Sequence, residues 1–176
     1  WHRFFSHQPD LNFENEAVHA ELLNVIRFWC DRGVDGLRLD AVPYLYEAEG
    51  TNSENLSKTH EFIAKIRRML DREYPGVMLI AEANQPPLEV VQYYGTDQNP
   101  GCHLCFHFPL MPQIFRSLHT GEVSGILRTW RETPVPPADG IWGLFLRNHD
   151  ELTLEMVTEE EREQMEARQR EILNGL

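Results

Sequence analysis

Three carboxylates follow apolar runs. Asp40 closes Gly36-Leu37-Arg38-Leu39, Glu82 closes Met78-Leu79-Ile80-Ala81, and Asp150 follows Ile141 to Leu146 across Arg147-Asn148-His149. An acid at the edge of a core can attack carbon, donate a proton or stabilise positive charge. In an extended strand alternate residues share a face, so Arg38 and Asp40 lie together with Leu37 and Leu39 opposite. A cation beside Asp40 keeps it ionised, as a nucleophile must be. Glu82 has only apolar neighbours in sequence, and desolvation there favours the protonated form that a general acid needs. Asn148, His149 and Asp150 offer two donors and a carboxylate, enough to bind vicinal hydroxyls and stabilise a developing cation.

Each site alone has a plainer reading. Arg38 and Asp40 can be a structural ion pair, Glu82 can leave its strand for solvent, and Asn148-His149-Asp150 can simply open a polar loop. As a set they fit glycoside chemistry of the retaining kind. There two carboxylates about 5 Å apart share the work, one attacking the anomeric carbon and the other protonating the leaving oxygen. A third anion can stabilise the oxocarbenium-like transition state.

The elements that must position these acids alternate. Val18, Leu22, Val25, Ile26 and Trp29 recur at helix spacing from Asn15, a candidate N-cap, to about Arg32, with Gly33 as the stop. Val34 to Val42 reads as a buried strand, and Pro43 to Leu56 as a loop. Ser57 is a candidate cap for a second helix with Phe62, Ile63, Ile66, Met69 and Leu70 as its stripe. Val77 to Ala81 is a second strand, Leu88 to Tyr94 a short helix, and Cys102 to Phe108 a third strand. Helices follow near Pro112–His119 and Glu122–Arg131. Thr133 to Gly140 is a loop, and Ile141 to Leu146 a fourth strand. Thr158 with Glu161 forms a capping box for a charged last helix.

Apolar strands alternating with helices imply an α/β fold with a parallel sheet covered on both faces. A doubly wound sheet would be expected to carry a glycine-rich phosphate loop, and neither GxGxxG nor GxxxxGK[ST] occurs. In a (β/α)8 TIM barrel, catalytic residues project from the carboxyl ends of several strands, which is the pattern seen. A whole barrel takes roughly 250 residues. The 176-residue chain opens on Trp1 in a motif-like stretch, so it reads as the middle of a larger protein.

A formal charge of −12 makes nucleic acid and anionic membrane poor partners. No apolar run approaches the ~20 residues needed to span a bilayer, and no signal or transit segment is evident. The three cysteines, an odd and sparse set, suit reduced thiols and a cytoplasmic setting. Cys102-x-x-Cys105 resembles half a metal motif, but residues three apart in a strand point to opposite faces. His103 and His107 would sit roughly 13 Å apart along a strand, too far to share an ion.

Four stretches, Gln8-Pro9-Asp10-Leu11-Asn12, GLRLDAV at 36–42, IAEAN at 80–84 and RNHD at 147–150, resemble in order and context the motifs of the α-amylase superfamily (glycoside hydrolase family 13). Longer stretches are similar to its trehalose synthase branch, the maltose α-D-glucosyltransferases. They are WHRFFSH at 1–7, YLYE at 44–47, EGTN at 49–52, FHFPLM at 106–111 and DELTLEMV at 150–157.

The resemblance implies isomerisation of maltose and trehalose by intramolecular glucosyl transfer. The alternatives are an α-glucosidase or oligo-1,6-glucosidase-type hydrolase, or a catalytically silent barrel relative. It implies Asp40 as nucleophile, Glu82 as acid/base and Asp150 as transition-state stabiliser, with Arg38, His149 and Asp150 contacting substrate. It also implies a structural Ca²⁺ held by Asp10, Glu47 and the backbone oxygens of Tyr44 and Leu45, hard donors that suit this ion, and no organic cofactor. The partner implied is a small disaccharide, with a homo-oligomer or a maltokinase left open. In that frame residues 1–12 end an inserted small domain, 13–160 supply strands four to seven of the barrel, and 161–176 are a charged helical tail. On its own such a piece is expected to be inactive or only partly folded. Pro86 stands where the family usually has Trp, and the tail from about Glu166 does not resemble the family.

Overall fold

The computed structural model describes residues 2–137, 139–149, 154 and 156–174. A four-stranded parallel sheet runs β1 (Gly36–Leu39), β2 (Met78–Ala81), β3 (Leu104–Phe106), β4 (Ile141–Gly143), each strand paired with the next in sequence. The helices are α1 (Glu16–Cys30), α2 (Ser57–Glu73), α3 (Pro87–Val90), α4 (Leu110–Thr120), α5 (Ser124–Glu132) and α6 (Glu159–Asn174). Single 3-10 turns occupy Val42–Tyr44 and Val91–Tyr94.

Alternation sorts the strand residues into two layers. Leu79, Ala81 and Cys105 are fully buried in the core, and Leu37, Leu39 and Trp142 pack against it. Helix α2 covers this face with Phe62, Ile63, Ile66, Met69 and Leu70, all of the predicted stripe. Truncating Ile63 or Leu79 to Ala should cost about 2–5 kcal/mol, as for other well-packed aliphatic residues. Helix α1 begins as predicted, the Asn15 side chain accepting from Ala17 N–H at 3.0 Å, and Gly33 stops it at φ +84°. Its Leu22 and Ile26 pack on the core, whereas Val25 and Trp29 are exposed, so the apolar stripe is wider than the face the core uses.

The strands are shorter than their apolar runs. β1 ends at Leu39 because Ala41, in the left-handed region at φ 45°, turns the chain away. β4 ends at Gly143 because β3 offers no partner beyond Phe106, and the last bond of the ladder runs from His107 N–H to Gly143 O at 2.9 Å. Helix α2 takes Leu56, not Ser57, at its N-cap position, and no side chain caps it. The capping box of α6 forms: Thr158 N–H donates to Glu161 Oε2 at 2.9 Å and Glu161 N–H to Thr158 Oγ1 at 3.3 Å.

Candidate active site

Parallel pairing decides where the acids go. Arg38 lies opposite Ile80 and Leu39 opposite Ala81, and Glu82 N–H still bonds Leu39 O at 3.1 Å. Asp40 and Glu82 therefore leave adjacent strands side by side, at the carboxyl end of the sheet. Arg38 projects from the same layer and joins them. One terminal nitrogen donates to Asp40 Oδ1 at 2.7 Å and the other pairs with Glu82 Oε1. The remaining oxygen of Glu82 accepts from Ala41 N–H at 3.1 Å. Glu82 is thus held from two sides.

The two carboxylates differ in access. The Asp40 side chain is 75% exposed and that of Glu82 14%. Burial works against the charge of Arg38, but the bonds and charges of Asp40 and Glu82 outweigh it and raise its pKa above the ordinary arginine value. The apolar sequence neighbours of Glu82 do not describe its surroundings, because a cation from the next strand reaches it. That partner is invisible along the chain and follows only from the strand pairing.

Register also brings in a group that sequence reasoning did not assign to the site. Ala81 pairs with Cys105, so Phe106 is the neighbour of Glu82 in the next strand. Its ring packs edge-on against Phe145 at 5.6 Å, and Phe145 packs against Phe108 at 5.2 Å. Opposite Phe106 stands Gly143, where a Cβ would come within 2.6 Å of Leu104 and 3.3 Å of the Phe106 ring. An aromatic cluster therefore stands on the β3 side of Glu82, and alternation of period two was the available signal for Phe106.

The other expected residues are placed less closely. Arg147, Asn148 and His149 follow β4 in coil, Asn148 half-buried and His149 exposed. Asp150 lies outside the described residues. His103 and His107 flank β3, where they serve the fold: His103 Nδ1 accepts from Leu79 N–H at 2.9 Å, and His107 Nε2 meets Thr133 Oγ1 at 2.7 Å. Burial pushes both imidazoles down. Cys30, Cys102 and Cys105 are free and buried, and burial pushes the Cys105 thiol up to about 12.

Of the residues expected around a cation, Asp10 keeps one buried carboxylate oxygen, Oδ2, without a hydrogen-bond partner. Burial, and then the charge of Asp10, push the Glu47 carboxyl above the usual range. Among the described residues no cluster of three or more His, Cys, Asp or Glu side chains could hold a metal.

Residues 1–174 match the alpha amylase catalytic domain. The chain belongs to the α-amylase family. It is 57% identical over 169 residues to trehalose synthase/amylase TreS of Mycolicibacterium smegmatis, covering 95% of this chain and 28% of that protein. It is 50% identical over 166 residues to a trehalose synthase of Thermus thermophilus, covering 94% of this chain and 17% of that one. The chain thus spans less than a third of the length of these relatives. Among solved structures, the alpha-glucosyl transfer enzyme XgtA superposes with a TM-score of 0.65 at 24% identity, over 85% of this chain and 32% of its own. A sucrose 6F-phosphate phosphorylase from Thermoanaerobacter thermosaccharolyticum gives 0.68 at 19% identity, over 86% of this chain and 30% of that one. The sheet is accordingly part of a (β/α)8 TIM barrel. No described helix is long and apolar enough to cross a membrane.

Proposed function

We propose that the protein carrying this chain interconverts maltose and trehalose by retaining glucosyl transfer. The observation that carries the reading is the single guanidinium of Arg38 bonded to both Asp40 and Glu82 at neighbouring strand ends. Similarity to relatives named trehalose synthase supports the choice of substrates. Asp40 attacks C1 of the non-reducing glucose of maltose. The bond from C1 to the leaving oxygen breaks, and that oxygen takes the proton of Glu82. A glucosyl ester on Asp40 and a free glucose result. The glucose turns within the site, and its anomeric hydroxyl attacks C1 while passing its proton to Glu82. The ester bond breaks back to the Asp40 carboxylate and the α,α-1,1 linkage forms. Both acids return to their starting states and no water is consumed. Excluding water decides transfer over hydrolysis, and the Phe106, Phe108 and Phe145 cluster is placed to help. His149 contacts the sugar and Asp150 stabilises the transition state in this scheme.

Asp10 and Glu47 fit a structural Ca²⁺, with the Tyr44 and Leu45 carbonyls completing the set. The orphaned, buried Asp10 oxygen supports this, since burying a carboxylate oxygen without a partner is costly. When bound, the ion would neutralise the two carboxylates and fix the loop after β1. Chelation should lower the melting temperature, Ca²⁺ should restore it, and Asp10→Asn should remove the effect. A melting temperature indifferent to chelator overturns the site.

Supplying the full-length protein with maltose tests the function. Trehalose should accumulate. Glucose without trehalose would overturn the reading in favour of an α-glucosidase.

A further inference from the structure

The acids sit on two separate loops, and something must hold those loops in register. The loop after β1 runs from Asp40 to Leu56, and the loop after β2 from Glu82 to Pro86. They meet at two amides. Asn55 Nδ2 donates to Gln85 Oε1 and, at 2.9 Å, to Glu89 Oε2, while Tyr93 donates its hydroxyl to Asn55 Oδ1. Gln85 Nε2 donates to Glu54 Oε2 at 3.0 Å, and Arg3 pairs with the other oxygen of Glu54. Gln85 is 4% exposed and Tyr93 1%.

The direction of every bond in this cluster is forced. The carboxylate oxygens of Glu54 and Glu89 accept here. Gln85 must therefore turn its NH₂ to Glu54 and its oxygen to Asn55. Asn55 must then give both amide protons to Gln85 and Glu89, leaving its oxygen for Tyr93. Burial pushes the Tyr93 hydroxyl well up, so it remains a donor. No member can be reversed without setting oxygen against oxygen. The backbone of Asn55 is equally committed: it sits in the left-handed region at φ 53°, which Asn tolerates better than most residues, and its N–H bonds Pro43 O at 3.1 Å. Gln85 N–H in turn bonds Ala83 O at 3.0 Å, tightening the turn that leads out of Glu82.

We infer that Asn55 and Gln85 are positioning residues, an amide clip between the two loops that fixes where the Glu82 proton lies relative to the leaving oxygen. The inference rests on the acid/base reading of Glu82 and adds residues whose hydrogen bonds above run to neither Asp40 nor Glu82. A polar network with all partners satisfied is rigid, and a misplacement of about 1 Å can cost about a hundredfold in rate.

The test compares two donors in the full-length protein. Maltose needs its leaving oxygen protonated, whereas α-glucosyl fluoride has a leaving group that departs with little help. Asn55→Asp keeps shape and backbone preference but sets a carboxylate against Gln85 Oε1 and Glu89. It should lower kcat/KM for maltose by about a hundredfold and for α-glucosyl fluoride by no more than about threefold. Should Asn55→Asp fail to fold, Asn55→Gly retains the left-handed backbone and loses only the side chain, and it should show the same split. Equal losses on both donors, or no loss on either, overturn the clip. Glu82→Gln is the control: if it lacks this split, the underlying acid/base reading falls instead, so the two failures are separable.

Discussion

Arg38 on β1 pairs with Glu82 at the end of β2, while its other terminal nitrogen holds Asp40 on its own strand. A guanidinium offers donors in a fixed planar fork, and here both prongs are used. Lysine is a point charge on a flexible stem and cannot hold two carboxylates in one plane. Arg38→Lys should therefore lower kcat for maltose by about a hundredfold and leave the thermal melt within a few degrees. Steady-state kinetics beside a melting curve check this, and kcat within a factor of about two of wild type would separate the bridge from the chemistry.

Ala41 follows Asp40 at φ 45°, a region that costs a residue with a Cβ about 1–2 kcal/mol. The turn brings its N–H to Glu82 Oε2. Ala41→Gly should leave activity unimpaired in fold and gain up to about 1 kcal/mol in urea denaturation. Ala41→Pro removes the N–H and demands negative φ, so it should lose both stability and turnover. A glycine variant less stable than wild type would mean that the backbone at Ala41 is not strained.

Glu161 is held by Thr158 N–H, Arg128 and Gln113. Its own burial opposes the charge, but these partners outweigh it and lower the carboxyl from 4.5 to about 2. A carboxyl depressed in the folded state contributes stability that is present above its unfolded pKa and lost as pH falls through the folded one. The window is therefore from about pH 4.5 down to about pH 2. Glu161→Gln should be less stable at neutral pH and should flatten the acid limb of the stability profile across that window. An unchanged acid limb in chemical denaturation would contradict the arrangement.

What could be read from the sequence follows from which contacts are local. The Asn15 cap, the stripe of α2 and the Thr158–Glu161 box involve residues a turn or two apart, and all three form. The parallel α/β order was equally legible, because each strand is a near-continuous apolar run, broken in β1 only by Arg38. Strand ends were not: Gly143 ends β4 through the length of its neighbour, not through its own neighbours in sequence. The same limit hid the partners of Glu82, since Arg38 and Ala41 reach it only across strands. The Asn55–Gln85 clip joins two loops that α2 and β2 separate along the chain, so nothing local announces it.

In retaining transfer Asp40 carries the glucosyl group as a covalent ester. A slow-turnover fluoroglucoside incubated with the full-length protein, followed by proteolysis and mass spectrometry, tests it directly. One glucosyl-type adduct should appear on the peptide that carries Gly36 to Val42, located at Asp40 and absent in Asp40→Ala. An adduct on Glu82, or full turnover by Asp40→Ala, would contradict it.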